Sequence, residues 1–214
     1  MEPKEPSGRR AADTKERILT TALGLYNQRG VNAVTSRHIA AEMGISAGNL
    51  HYHFPRTDDV ILALYRRLAA GFDDIVQRAG AGFDDEIPQA GADTIAVFAD
   101  RSFRLMYNYR FIFLHFVEIA RRIPAVQKHY RALNRRRKKE FLDFFGRQAA
   151  EGVFRNDLPA GVWEALVTQF FIVGDFWLSN NELTEKLKGE AAIVHYRDLF
   201  LQTLVPYLAA PPSR

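Results

Sequence analysis

Two stretches of this chain carry side chains of the types, and at the spacing, that do chemistry. The first runs from Thr35 to Phe54. Thr35 is a good N-cap for a short helix whose apolar positions are Ile39, Ala40 and Met43. Gly44 follows, where a left-handed backbone costs a glycine little, and Ser46 caps a second helix almost at once. So short a connection makes the two helices cross steeply, the geometry that presents a recognition helix to a DNA major groove. The second helix exposes Ala47, Gly48, Asn49 and His51, which are small or hydrogen-bonding groups suited to base edges. An ordinary helical hairpin is the bland alternative, but the caps, the turn and the exposed polar set agree with one another.

The second stretch holds His115 and Glu118, three residues apart in Phe111–Ile119, a segment apolar nearly all round. Such a helix is buried, and buried polar groups need partners. The pair is either a satisfied core hydrogen bond or two polar anchors in a ligand pocket. A catalytic role would need a nucleophile or metal site, which the sequence does not suggest. His51 and His53 form a His-X-His pair, but residues two apart on a helix point about 200° apart and do not converge on a metal. No metal site and no cofactor are expected. Arg131 and the run Arg135–Lys139 read as a solvated basic face, with contact to an anionic effector tail as the minor alternative.

These groups need elements to position them. With 214 residues, the chain is long enough for a small domain fused to a larger one. It has no cysteine, which removes disulfides, thiolate metal sites and cysteine nucleophiles. The polar beginning resembles no secretion signal, and the most apolar stretch, Ala165 to Leu178, is too short to span a bilayer and is interrupted by Gln169 and Asp175, which could orient a ligand or stabilise a dimer contact. A cytoplasmic protein with no membrane partner is expected. Residues 1–56 hold eight Lys/Arg and five Asp/Glu, a net +3 of the chain's +4. Phosphate binding therefore has its electrostatic basis at the N-terminal end.

Residues 1–12 read as a disordered arm, with Arg9 and Arg10 either reaching a minor groove or staying solvated. Asp13-Thr-Lys-Glu16 has a capping-box pattern opening a helix through Ile18, Leu19, Ala22, Leu25 and Tyr26 to Gly30. Thr57-Asp58-Asp59 opens a long helix through Leu64, Tyr65, Leu68, Phe72 and Ile75 that fades near residues 79–82. After a loop at 83–91, helices are expected near 92–109, 110–123, 126–151, 161–180 and 190–208, with 210–214 loose. The dense aromatics of this half favour a hydrophobic or aromatic ligand over a sugar or a highly charged one.

Gly30, Thr35, His38-Ile39-Ala40, Gly44-Ile45-Ser46 and Leu50-His51-Tyr52-His53-Phe54-Pro55 together resemble the TetR family of bacterial transcriptional regulators. The resemblance implies an all-α chain. A three-helix helix-turn-helix domain (13–56) is joined to a larger helical effector-binding and dimerisation domain (57–209). It implies a cytoplasmic homodimer on a palindromic double-stranded DNA operator, acting as a repressor released by a small effector. By position, Thr35, Ser36 and Arg37 would touch phosphates or a flanking base. Ser46, Ala47, Gly48, Asn49 and His51 would face or frame the groove contact, and Tyr52 and His53 would reach phosphates. Many members carry tyrosine where this chain has His51, a change that admits pH sensitivity, and lysine where it has Thr57. Thr57 can cap the fourth helix but cannot neutralise a phosphate, a task left to Arg56. Tyr107, His115, Glu118, Gln169, Phe170 and Trp177 are the expected effector contacts, and the last two helices, with Phe171 and Leu204, the expected dimer face. An effector-independent DNA-binding protein and a helical enzyme using His115 and Glu118 are the competing classes.

Overall fold

The computed structural model describes residues 7–81 and 92–209. The arm before Ser7, the loop at 83–91 and the tail at 210–214 lie outside the described residues. The described chain is all-helical, in the order α1 (Ser7–Arg29), α2 (Ser36–Met43), α3 (Ala47–His53), α4 (Thr57–Ala81), α5 (Ala92–Asn108), α6 (Arg110–Leu114), α7 (Phe116–Arg122), α8 (Pro124–Ala150), α9 (Val162–Leu183) and α10 (Gly189–Gln202).

Helix α1 begins at Ser7, so Asp13 sits inside it rather than capping it, and Arg9 and Arg10 belong to the helix rather than to an arm. It ends where Gly30 turns left-handed with φ 79°. Ile18, Leu19, Ala22, Leu25 and Tyr26 are all buried, as their spacing requires. They meet Ile39 and Ala40 of α2, Leu50 of α3, and Val60, Ile61 and Leu64 of α4 in one core. That core continues without a break into the second half, through Tyr65, Phe103, Phe111, Ile112 and Trp177. A second cluster lies at the far end, where the Phe145 and Trp163 rings stack at 4.8 Å beside buried Phe154, Leu166 and Leu204.

The head is also tied to the body by specific contacts. The Asn27 amide donates to the Asn108 carbonyl at 2.8 Å and accepts from the Phe111 N–H at 3.1 Å. The Tyr26 and Phe111 rings stack at 5.0 Å. Arg122 of α7 pairs with Asp58 in the first turn of α4. The expected helix over 110–123 is two, because the chain bends at Tyr109 and again at His115 (φ −121°, ψ 22°). The last helix stops at Gln202 instead of running to Leu208. Pro206 would clash with the Gln202 carbonyl of a continuing helix. The chain instead makes a short 3₁₀ turn at Val205–Tyr207, and Leu208 forms an antiparallel bridge to Phe154.

Candidate nucleic-acid interface and ligand cavity

The α2–α3 corner is built by its caps. The Thr35 side chain accepts from the His38 N–H at 3.4 Å, and the His38 Nδ1 accepts from the Thr35 N–H at 3.2 Å. This is a capping box with histidine in the role usual for glutamate or glutamine. At the other end of α2, Gly44 has φ 65°, and Gly44 and Ile45 donate back to Ala41 and Ala40 at 3.1 and 3.0 Å. Ser46 then accepts from the Asn49 N–H at 3.1 Å and opens α3. These contacts satisfy helix-end groups that would otherwise need water.

Buried Leu50 and Phe54 pin α3 to the core, which leaves Ala47, Gly48, Asn49, His51 and Tyr52 exposed along one ridge. Tyr52 keeps 81% of its surface exposed, an unusual placement for so large a ring in a free chain. His51 donates through Nδ1 to the Pro55 carbonyl at 3.0 Å, so the neutral ring presents Nε2 outward as an acceptor. His53 is half-buried, edge-on to the Tyr52 ring at 5.2 Å. Thr35, Arg37 and Ser46 are exposed on the same corner.

Three expectations change here. Ser36 is buried, and its hydroxyl pairs with that of Thr57 at 3.1 Å. Both side chains are spent on joining α2 to α4 rather than on a free surface. Thr57 is not the cap of α4: it is the first helical residue, and Asp59 reaches back to accept from the Arg56 N–H at 3.0 Å. The Arg56 guanidinium pairs with the same Asp59 carboxylate at 3.0 Å, which leaves it a partly neutralised substitute for the missing lysine.

The second half holds a partly open cavity of about 150 Å³ lined by α4, α5, α6, α7, α8, α9 and α10. Its walls are nearly all apolar, with rings from Phe72, Phe98, Phe103, Phe113, Phe116, Phe141, Phe170, Phe171 and Phe200. The polar exceptions are Tyr65, Tyr130, Ser102, Asp175 and Arg137. Asp175 accepts a hydrogen bond from the Tyr130 hydroxyl, and burial pushes its carboxyl up to about 6. The Tyr65 hydroxyl lies 3.1 Å from His129 Nδ1, and burial raises both tyrosines above the usual phenol value. The Ser102 hydroxyl is buried with no hydrogen-bond partner among the described residues. Arg137 is held between Asp73 and Glu140, the latter at 2.5 Å.

Of the six side chains expected in this cavity, Phe170 alone lines it. Trp177 is buried core, packed on Phe103 at 5.3 Å and Tyr196 at 5.1 Å. The Tyr107 hydroxyl caps α10 instead, accepting from the Gly189 N–H at 2.6 Å. Gln169 faces solvent. The bend at His115 turns Phe116 inward, while His115 and Glu118, 3.5 Å apart, lie half-exposed in an open groove with Arg121, Arg122 and Phe176. His115 also covers the end of α1, with Nε2 3.4 Å from where a Cβ on Gly30 would sit. A catalytic pair there would lack the enclosure that the competing enzyme reading needs. Ser102 and Asp175 had a legible signal, each being a polar residue inside an apolar stripe. Arg137 belongs to the basic run Arg135–Lys139, for which effector contact is the minor reading of the sequence, whereas Tyr130 has no signal because α8 is polar on most of its length.

A family model described as "Bacterial transcriptional repressor" matches residues 83–213, and one described as "Bacterial regulatory proteins, tetR family" matches residues 18–64. The chain belongs to the TetR family. It is a TetR-family transcriptional regulator with an N-terminal DNA-binding domain and a larger helical C-terminal domain. Its fold is similar to a TetR-family regulator from Marinobacter aquaeolei VT8, with TM-score 0.77, 22% identity, and coverage of 92% of this chain and 91% of that one. A putative transcriptional regulator from Saccharomonospora viridis, solved in complex with choline, gives TM-score 0.70 and 21% identity over 94% and 100% of the two chains. The ketosteroid transcriptional regulator KstR2 of Mycobacterium tuberculosis gives 0.64 and 18% over 92% and 96%. Among the described residues of this regulator, no helix is long and apolar enough to cross a membrane.

Proposed function

We propose that this TetR-family regulator is a cytoplasmic homodimeric repressor that reads a palindromic operator through α3 and leaves it when a small, mainly hydrophobic or aromatic effector fills the cavity. The observation that carries this reading is the position of α4. Its Tyr65, Leu68 and Phe72 line the cavity, while its first turn is bonded to α2 through Thr57 and to α7 through Asp58. A ligand that displaces α4 therefore moves the element on which the recognition helix is mounted. Base contacts fall to Asn49 and His51, with Ala47 and Gly48 allowing close approach. Phosphate contacts fall to Thr35, Arg37, Ser46, Tyr52 and His53.

Solved relatives of this fold differ in what their descriptions say of ligands, one being a choline complex and another a ketosteroid regulator. The fold alone thus leaves the effector class open, and the apolar walls of this cavity support a mainly hydrophobic body. Effector action requires unequal binding to the DNA-bound and released conformations, worth roughly 5 kcal/mol for a near-complete switch. The regulator has no need of catalysis in this scheme. The test is a binding-site selection followed by titration of ligands into the purified DNA complex. A palindromic consensus and ligand-dependent release are expected. A selection without a palindrome removes the operator reading, and binding that leaves DNA affinity unchanged removes the regulatory one.

A further inference from the structure

We propose that the cavity takes a small uncharged hydrocarbon, a single ring with short alkyl substituents, and excludes ligands that must bring a charge or a hydrogen-bonding group inside. This rests on the reading of the cavity as the effector site and narrows it. The cavity presents almost no polar surface, although five polar residues contribute to its walls. Their polar atoms are spent or covered within the wall. The Tyr130 hydroxyl donates to Asp175, the Tyr65 hydroxyl pairs with His129 at 3.1 Å, and Arg137 is matched by Asp73 and Glu140. The Ser102 hydroxyl has no partner among the described residues, but it is itself buried. What faces the void is therefore carbon.

Such a surface sorts ligands by what they give up on leaving water. A charged group loses its hydration and meets no counter-charge on the wall. A hydroxyl or amide loses its bonds to water and finds no replacement. A hydrocarbon loses neither, gains from leaving water, and restores dispersion contacts that wall atoms facing a void lack. Water competes poorly, because a bound water needs several polar partners. Size sets the rest. The cavity measures about 150 Å³. An apolar void of that order stays dry and admits one benzene-sized ring. The rings of Phe170 and Phe200, 4.4 Å apart, and of Phe113 and Phe116, 6.4 Å apart, are part of this lining and offer a ring both edges and faces.

Calorimetric titration of the full chain with benzene, toluene, ethylbenzene, benzyl alcohol, benzylammonium, benzoate and phenanthrene separates the classes. From benzene to ethylbenzene, affinity is expected to rise about fourfold per added carbon. Benzyl alcohol, which has a hydroxyl where ethylbenzene has a methyl, is expected to bind about 30-fold more weakly, and the two ions more weakly still. Phenanthrene should bind less tightly than ethylbenzene despite its larger apolar area. A Cβ on Gly174, a wall residue, would meet only the Met106 sulfur, at an ordinary 3.8 Å, so Gly174→Leu can place a side chain in the void. It is expected to lower ethylbenzene affinity at least about tenfold. A polar or charged member that binds as tightly as ethylbenzene, phenanthrene binding more tightly than ethylbenzene, full ethylbenzene affinity in Gly174→Leu, or no hydrocarbon binding overturns the proposal. If the variant gives no cooperative melt, the wild-type series decides alone. DNA release is followed separately by fluorescence anisotropy. Hydrocarbon binding without release upholds the ligand class and removes the regulatory reading, whereas release by a polar or charged member but by no hydrocarbon does the reverse.

Discussion

Asn49 and Tyr52 sit on the same exposed ridge but carry different kinds of information. In the proposed operator complex, Asn49 would offer a paired donor and acceptor to a base edge, and Tyr52 a hydroxyl to a phosphate. Asn49→Ala is expected to relax base preference at its position by about 1–3 kcal/mol. Tyr52→Phe should instead weaken all sequences by a similar factor. Anisotropy titrations against the selected operator and its single-base variants distinguish the two. Asp175 makes a separate claim about stability. Its carboxyl rises from the ordinary 3.8 to about 6 in the fold, so the folded state holds the proton more tightly than the unfolded chain. The group's contribution is therefore most favourable below pH 4 and is lost as the pH rises towards and through 6. A rise of that size corresponds to roughly 3 kcal/mol. In the free protein, Asp175→Asn should raise the melting temperature at pH 7.5 and leave it nearly unchanged at pH 4. An equal change at both would show that the carboxylate carries no burial penalty.

At the scale of elements, the corner between α2 and α3 depends on backbone geometry more than on side-chain volume. No atom lies within 4 Å of a Cβ placed on Gly44, so Gly44→Ala is sterically free, and its cost comes from the left-handed φ of 65° alone. A loss of about 1 kcal/mol is expected by urea unfolding. Ser46→Ala removes the acceptor for the Asn49 N–H and should cost about 1 kcal/mol, while Ser46→Gly costs a few tenths. Both changes also loosen the angle at which α3 meets the groove, so operator affinity should fall by more than stability does. Equal losses in the two measurements would mean that the corner is rigid by packing and not by its caps.

For the whole molecule, the outer stripe of α9 carries Gln169, Ile172, Phe176 and Leu183 at helical spacing, and α10 adds Leu199. Leu183 is 81% exposed and Ile172 57% in the single chain. The residues first expected on a dimer face lie elsewhere: Phe171 lines the cavity and Leu204 is core. Ile172→Lys with Leu183→Asp is therefore the informative double variant. It should keep helix content, sediment as a monomer at micromolar concentration, and lose most operator affinity, because two half-sites bound by one assembly depend on the link between heads. Phe171→Asp should damage the fold or the cavity instead. A double variant that remains dimeric would place the interface on another surface. Affinity of the intact protein for its operator should also fall steeply with salt, as phosphate neutralisation by the basic head requires.

The sequence by itself determined whatever is local along the chain. Caps, the left-handed glycines at 30 and 44, and apolar spacing in α1 and α4 are short-range signals that report on the nearest turn. They gave the helix-turn-helix, the all-helical class and the family. The acidic capping pattern at Asp13 is not a helix start, because the same pattern also occurs inside a helix and α1 begins at Ser7. The cavity was decided by tertiary structure. Whether a ring on α5 or α9 lines a void or fills the core depends on bends at Tyr109 and His115 and on the crossing of helices far apart in sequence. Tyr107, Trp177 and Phe171 have the same local pattern, yet one caps a helix, one is core and one faces the cavity. Ser36 and Thr57 likewise read as surface hydroxyls until α4 brought them together. Periodicity says which face of a helix is apolar, and only the packing of neighbouring helices says what that face meets.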